Sequence, residues 1–519
     1  MLRRRARSTL SGVAVASAAL LLSACATSVA PAATSEPVAG GEIVVGGLAT
    51  AALDPGQVGY SNQSRPYTAP ILGSLFLPPL EAGEDVRAGV ATEYSYNDDT
   101  TEMTITLREG AQFADGTPAD AAAVVWNLER NGATGLSSSQ YFVYVESIEA
   151  KDATTVVISY DRPYALMPEA LAFTTAGYLA SPTAFEEMGA DAFNQAPVGA
   201  GPFMVESVDP GNSLVLVKSP TYWDADNVYL DQVTWLNTGT EMQATLVKLQ
   251  SGAIHSAAFS GSTTSPAVLD AAKTDPALLG AETAATTYQI LPVNTFAAPF
   301  DDIRARQAVA YCLDRDSLAD NVTQGYAKPA FVTSGADSNF LDDIDEARGF
   351  NAYPHDLEKG SDLVEELGGL AFELVTYTNS PVVTAMQQGW AECGIEVKVT
   401  VTDAYTADIS KGSYQMGFAV STSGYNPSMS TVFQDNTTGL GKFGFKDDAI
   451  TGLINEVRGV ADPKEAEALW HEIWQSINDL AVSIPVLSAP TYVYSSACLQ
   501  GVQTYTNTGG VYEHAYLAC

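Results

Sequence analysis

Asn294-Thr-Phe-Ala-Ala-Pro-Phe-Asp-Asp-Ile-Arg-Ala-Arg-Gln-Ala-Val-Ala-Tyr-Cys-Leu-Asp-Arg315 is the most informative run in this 519-residue sequence. Asp301 and Asp302 stand just ahead of a helix expected from Ile303, where acids favour the positive end of the helix dipole. Arg304 and Arg306 fall on different sides of that helix and are expected to pair with loop acids. Upstream, Thr117-Pro118-Ala119-Asp120 reads as a second helix start, with Thr117 as N-cap and Pro118 at the first helical position. Ala121, Val125 and Leu128 follow at helical spacing. Downstream, Asp462-Pro463-Lys464-Glu465 reads as a third start resembling a capping box. Leu469, Ile473, Ile477 and Leu480 recur behind it, with Trp470 and Trp474 read as core.

Between these helices lie short β-branched, alternating runs: Gly41 to Gly47, Glu102 to Leu107, Thr154 to Tyr160 and Leu214 to Lys218. Strands and helices interleave, and no tandem repeat of 20–50 residues is present. The composition is globular, with 46% hydrophobic and 17% charged residues. Lys and Arg total 25 against 61 Asp and Glu, a net charge of −36. So acidic a surface repels phosphate, which excludes nucleic acid as a partner and leaves a lipid anchor as the only plausible membrane attachment.

The N-terminus carries Arg3, Arg4, Arg5 and Arg7, then an uncharged run from Val13 to Leu22 that is short for a membrane span. Leu22-Ser23-Ala24-Cys25 follows and resembles the lipobox of bacterial lipoproteins. By that resemblance residues 1–24 form a signal peptide and Cys25 carries the lipid. Loss of residues 1–24 takes the charge from −36 to −40. Residues 25–40, rich in Ala, Ser, Thr and Pro, read as a flexible tether. The remainder is expected outside the cytoplasm. Cys312, Cys393, Cys498 and Cys519 then permit two disulfides in three pairings. Cys498 with Cys519 would pin a tail of little helical pattern, leaving Cys312 with Cys393; buried free thiols are the alternative for the latter two.

A search for catalysis returns negatives. HExxH, GxSxG and GxxxxGK[ST] are absent. Gly439-Leu-Gly-Lys-Phe-Gly444 matches GxGxxG but follows a polar run rather than a strand, so it reads as a loop. His255, His355, His471 and His514 lie far apart in sequence, and no metal or cofactor is expected.

Several further segments carry a resemblance that the single motifs do not. Gly110-Ala-Gln-Phe-Ala-Asp-Gly-Thr-Pro-Ala-Asp-Ala121, Gly199-Ala-Gly-Pro-Phe203 with Tyr222-Trp223, and Leu249-Gln-Ser-Gly-Ala-Ile-His255 occur in order. The 294–315 run, Tyr353-Pro-His-Asp-Leu-Glu-Lys-Gly360 and Gly394-Ile-Glu-Val397 follow. Together, from about Gly41 to Tyr494, they resemble the bacterial extracellular solute-binding proteins of family 5, which serve peptide/nickel-type ABC importers.

That resemblance implies an α/β, two-lobed periplasmic-binding-protein-like fold with an inserted subdomain in lobe I. Lobe I is placed at 41–80 and 197–290, its insert at 81–196 and lobe II at 291–490, with 491–519 returning to lobe I. It implies capture of a peptide or other small polar solute without catalysis, delivery to ABC permease subunits, and a monomer. An oligosaccharide or other non-peptide ligand, or a receptor-coupled sensor of the same fold, is the alternative. The cleft-lining segment of relatives corresponds to Tyr414-Gln-Met-Gly-Phe-Ala-Val-Ser-Thr-Ser-Gly-Tyr-Asn-Pro-Ser-Met429. Here residues 417–434 hold no Asp, Glu, Lys or Arg, and Asn426 replaces the acid before Pro427. An ammonium anchor must therefore come from elsewhere, or the ligand lacks one. The ligand-binding residues expected are Tyr425, Asn426, Ser421 and Ser423, with Tyr60 and Asn62 from lobe I.

Overall fold

The computed structural model describes residues 36–48, 52–57, 64–81, 83–134, 136–377, 379–402, 404–410, 412–422, 425–428, 444–504 and 509–519. The strand Glu42–Gly46 turns Ile43 and Val45 inward and sits at the centre of a seven-stranded sheet. Gln232–Leu236 and Ser256–Ser260 flank it in parallel. Ser213–Lys218 and Phe203–Asp209 extend one side, and Thr491–Ser496 and Leu278–Glu282 the other. Tyr67, Trp235 and Tyr512 fill the core beside this sheet, with ring centroids 5.5 and 5.8 Å apart around Trp235. Gly199 and Gly201 are required by close approach. A Cβ on Gly199 would lie 2.4 Å from the Leu72 Cα, and one on Gly201 2.2 Å from the Pro70 carbonyl oxygen.

A separate antiparallel sheet runs in the order Ala91–Tyr96, Glu102–Leu107, Thr155–Tyr160, Val145–Ala150. Met103, Ile105, Val156 and Ile158 pack there with Val124 and Leu128 of the helix Ala121–Asn131. That helix starts three residues later than a Thr117 cap requires. Asp120 is the N-cap and accepts from the Ala123 N–H, so Val124 rather than Val125 turns fully inward. Thr117 is instead tied into the preceding turn, donating to Asp115.

The third group of strands begins with Thr287–Pro292. It pairs antiparallel with Ala419–Thr422 and with the fully buried Ser483–Ala489, which also pairs with Lys328–Pro329. Leu370–Thr376 lies parallel to Ile395–Val401 and Met416–Gly417. The helix Ile303–Tyr311 buries Ala305, Ala308 and Val309, and the Trp390 indole donates to the Val309 carbonyl at 3.1 Å. Asp302 caps this helix and pairs with Arg304 at 2.6 Å. Arg306 departs from the expectation of an acidic partner. It is buried and donates to the carbonyls of Leu480 and Phe300, 2.9 and 2.7 Å away. Asp462 caps the helix Pro463–Leu480, on which Trp470 and Trp474 are fully buried beside Ile473 and Ile477.

The chain passes from the first sheet to the third group between Glu282 and Thr287 and returns between Ala489 and Thr491. The two passages lie side by side. Thr283 N–H donates to the Thr491 carbonyl at 2.9 Å, and Thr491 N–H to the Thr283 hydroxyl at 3.0 Å. Disulfides join Cys312 to Cys393 and Cys498 to Cys519. Gly360 makes room for the first, since a Cβ there would lie 2.2 Å from the Cys312 sulfur.

The two bridges close loops of 81 and 21 residues. Chain entropy assigns them up to about 4.5 and about 3 kcal/mol respectively. The Cys312→Ser/Cys393→Ser pair should therefore lower unfolding free energy more than Cys498→Ser/Cys519→Ser. Denaturant titration measures the order, and non-reducing peptide mapping checks the connectivity; a 312–498 linkage would refute both.

Candidate functional site

Residues 425–428 follow the strand Ala419–Thr422 and run against the separate antiparallel sheet of Ala91–Tyr96, Glu102–Leu107, Thr155–Tyr160 and Val145–Ala150 and its helices. Asn426 precedes a proline, and its side-chain oxygen accepts from the Ser428 N–H at 2.9 Å, an Asx turn that fixes the segment. The Asn426 amide nitrogen is thereby free to donate across to Glu169 Oε2 at 2.6 Å. Tyr425 is 6% exposed. Its ring meets Phe173 edge-on with centroids 6.4 Å apart, and its hydroxyl lies 3.5 Å from the Leu80 carbonyl. Its own carbonyl accepts from Asn339 N–H at 2.8 Å. Ser428 accepts from the Trp470 indole at 3.2 Å, which anchors the turn to the buried helix.

More bonds join the same two parts. Gly83 N–H donates to Asn339 Oδ1 at 2.9 Å, Ala165 N–H to the Arg458 carbonyl at 2.8 Å, and the Tyr144 hydroxyl to Asn455 Oδ1 at 2.6 Å. Between these contacts lies a cavity of about 360 Å³. Asp85, Tyr94, Tyr96 and Glu169 wall one side, and Asn339, Asn426, Ser428 and Arg458 the other. Protein surroundings push the Glu169 carboxyl up to about 7, because desolvation outweighs the stabilising Asn426 bond and Asp85 adds like charge. The Tyr94 hydroxyl is raised for the same reasons, by burial and by its 2.8 Å bond to Asp85.

Of the residues expected from sequence, Tyr425 and Asn426 sit together at this junction, and Asn426 lines the cavity. Ser421 is buried opposite Tyr288 in the sheet and does not line it. Ser423, Tyr60, Asn62 and Cys25 lie outside the described residues. Glu169 was not expected. Its signal is a lone acid in the apolar stretch Leu166-Met-Pro-Glu-Ala-Leu-Ala-Phe173.

Two other cavities lie away from this junction. One of about 110 Å³ is lined largely by apolar and aromatic side chains, including Trp223, Trp235 and Tyr512. Another, of about 470 Å³, opens beside the chain passages at Tyr326, Tyr492 and Tyr494. Among the described residues, Asp224, Glu513 and His514 bring ligand-type atoms within 4.8 Å of one another. Glu513 already accepts from the Tyr222 hydroxyl at 2.5 Å, and His514 Nδ1 lies 3.0 Å from the Asn227 carbonyl. These bonds tie the C-terminal segment to residues 222–227.

Residues 85–443 match the family model of the bacterial extracellular solute-binding proteins, family 5 (middle region). The chain is 26% identical over 460 residues to the glutathione-binding protein GsiB of Salmonella paratyphi A, spanning 84% of this chain and 87% of that protein. Its fold is similar to that of the periplasmic binding protein DppA of Helicobacter pylori, solved with the peptide STSA. The TM-score is 0.81 at 21% identity, over 92% and 98% of the two chains. NikA of Staphylococcus aureus, solved with Ni(L-His)2, has a TM-score of 0.76 at 16% identity, over 92% and 100%.

Gly459 tests whether the junction matters. A Cβ there would lie 2.9 Å from the Pro163 carbonyl oxygen on the facing part. Gly459→Ala should leave each part folded and weaken whatever depends on their contact by about 1–2 kcal/mol. Solute affinity should fall about five- to thirtyfold in the variant, measured by calorimetry with any solute that the wild type binds; an unchanged affinity would refute the role.

Proposed function

Since the chain belongs to the bacterial extracellular solute-binding proteins of family 5, we propose that it captures a peptide or another small polar solute between two lobes. As the substrate-binding component of an ABC importer it delivers that solute to a permease and catalyses no reaction. The observation that carries the reading is the cavity formed jointly by residues 83–169 and 339–466, bridged by Asn426 and Glu169. A solute held there gains contacts from both sides only when they meet, so its binding energy shifts the population toward the closed form. A closed form that is a minor species without ligand needs differential binding of several kcal/mol to dominate.

The lobes follow the sheets in this reading. Lobe I comprises 41–80 and 197–290 with 491–519, its insert 81–196, and lobe II 291–490. Thr287–Pro292 hydrogen-bonds wholly within the third group of strands, which favours moving the boundary to about residue 286. In this reading Asn426 meets the ligand at the cavity from lobe II, and Tyr425, Ser421 and Ser423 of lobe II, with Tyr60 and Asn62 of lobe I, would serve it from outside that lining. The uncharged run 417–434 favours a second reading, in which the ligand is an oligosaccharide or other neutral solute. No helix among the described residues is long and apolar enough to cross a membrane. In this reading the protein is a monomer held to the outer face of the cell membrane by lipid on Cys25.

A thermal-shift screen of short peptides, oligosaccharides and metal chelates tests the function. A peptide at 100 times its Kd should add about 2.7 kcal/mol of stability; a response confined to oligosaccharides selects the second reading. If no solute shifts the melting temperature, the capture function fails. Cys25→Ser, expressed in a lipoprotein-processing host, should appear unprocessed or in the medium. A variant still cleaved and membrane-bound would refute the anchor.

A further inference from the structure

Glu169 presents a carboxylate to the cavity between the insert and lobe II, and its one hydrogen bond among the described residues comes from the Asn426 amide. Among the described residues no Lys or Arg forms an ion pair with it, and Asp85 adds like charge. The groups that share the cavity are Asp85, Glu84, Tyr94 and Tyr96 on the insert, and Asn339, Asn426, Ser428 and Arg458 on lobe II. Arg458 is turned toward the Tyr144 hydroxyl, 3.4 Å from Nη1. Asp85 is held by the Tyr94 hydroxyl and its neighbour's N–H, so its charge adds to that of Glu169.

Resting on the solute-binding function above, we propose that this cavity seats a cationic group of the captured solute, an ammonium or guanidinium, with Glu169 as its counter-ion. Closure brings Glu169 under lobe II, where an uncompensated carboxylate is costly and a bound cation removes that cost. Asp85 and Glu84 add a negative potential that attracts such a group. The Tyr94 and Tyr96 rings, 6.0 Å apart and edge-to-face, offer aromatic surface to it. The volume of about 360 Å³ accommodates an alkylammonium or a side-chain guanidinium. Residue 426 fits this assignment. An aspartate there would face Glu169 with a second negative charge, whereas the Asn426 amide donates and holds the carboxylate in place. The counter-charge missing from residues 417–434 is thus carried by the insert.

The charge state of Glu169 supplies an independent readout. With its carboxyl near 7 in the unliganded protein, a fraction of the molecules are protonated at neutral pH. A cation favours the ionised form, so its binding must release protons, and amine affinity must rise as pH rises through about 7. A neutral ligand would release none by this route.

Isothermal titration of tri-alanine, N-acetyl-tri-alanine and putrescine, in two buffers of different ionisation enthalpy, tests the assignment on the wild type and Glu169→Gln. Glutamine keeps an oxygen to accept from Asn426. The expected result is that at least one free amine binds tenfold or more tighter than the acetylated peptide and releases protons, and that Glu169→Gln abolishes both effects. Tri-alanine alone points to a peptide N-terminus, putrescine alone to an alkylammonium. Asp85→Asn, on the exposed rim, should weaken the same amines about two- to threefold and serves if Glu169→Gln fails to fold. Equal affinity for the acetylated peptide, undiminished amine binding in Glu169→Gln or in Asp85→Asn, or no amine binding overturns the proposal. Should only neutral solutes bind, the capture function stands and the cationic seat falls.

Discussion

Two chain passages, hydrogen-bonded to each other through Thr283 and Thr491, are the constraint from which the rest of the molecule follows. Each sheet is complete on one side of them: the strands that pair with Glu42–Gly46 never pair with those around Thr287–Pro292. The two sides can therefore move about a few residues without breaking a ladder bond in either sheet. Ser488 reinforces the pivot by donating near the Ala285 and Thr287 carbonyls, 3.1 Å from each, while Asp337 accepts from the Ala285 N–H at 2.6 Å. What the passages leave free is the far junction, where the insert meets residues 338–340, 425–428 and 455–459. Among the described residues that junction comprises a few hydrogen bonds, an edge-on ring pair and a cavity, an assembly that a ligand's contacts can bias.

Much of this architecture was legible because the signals were local. Helix starts at Asp302 and Asp462, the strand Glu102–Leu107 and the buried Trp470 and Trp474 follow from caps and periodicity. The disulfide pairs followed from counting four cysteines and asking which tail needed pinning. Sequence and structure part where a local rule meets a tertiary demand. Thr117 has the right residue type for a cap, but the turn at Asp115 claims its side chain and Asp120 caps instead. Arg306 lies on a helix bordered by acids, yet the Leu480 and Phe300 carbonyls reach it first inside the core.

The candidate site was less legible. Asn426 and Tyr425 could be singled out because their segment carries a resemblance, but neither reveals what it faces. Glu169 lies 257 positions away from Asn426 and belongs to a seven-residue helix with no motif. Only the fold brings the two within 2.6 Å. A single acid in an apolar run is ambiguous by itself, since such residues also end up on exposed helix faces. Its meaning depends on the partner lobe that comes to cover it.

The overall charge makes that covering consequential. A chain of net charge −36 already resists bringing its parts together. Placing a carboxylate at the junction adds to the cost of contact whenever it is ionised. Asn426 lowers that cost without cancelling it, because an amide offers a hydrogen bond but no charge, and the carboxyl still settles near 7. Linkage gives the sign: a folded-state carboxyl raised from 4.5 to about 7 loses its stabilising proton as pH climbs between those values, so closure without ligand weakens over that range and then levels off. Contact across such a junction costs more when Glu169 is ionised and unaccompanied, and less when something positive lies beside it. The carboxylate thus couples contact at the junction to a positively charged occupant, a coupling that a neutral, self-satisfied interface would lack.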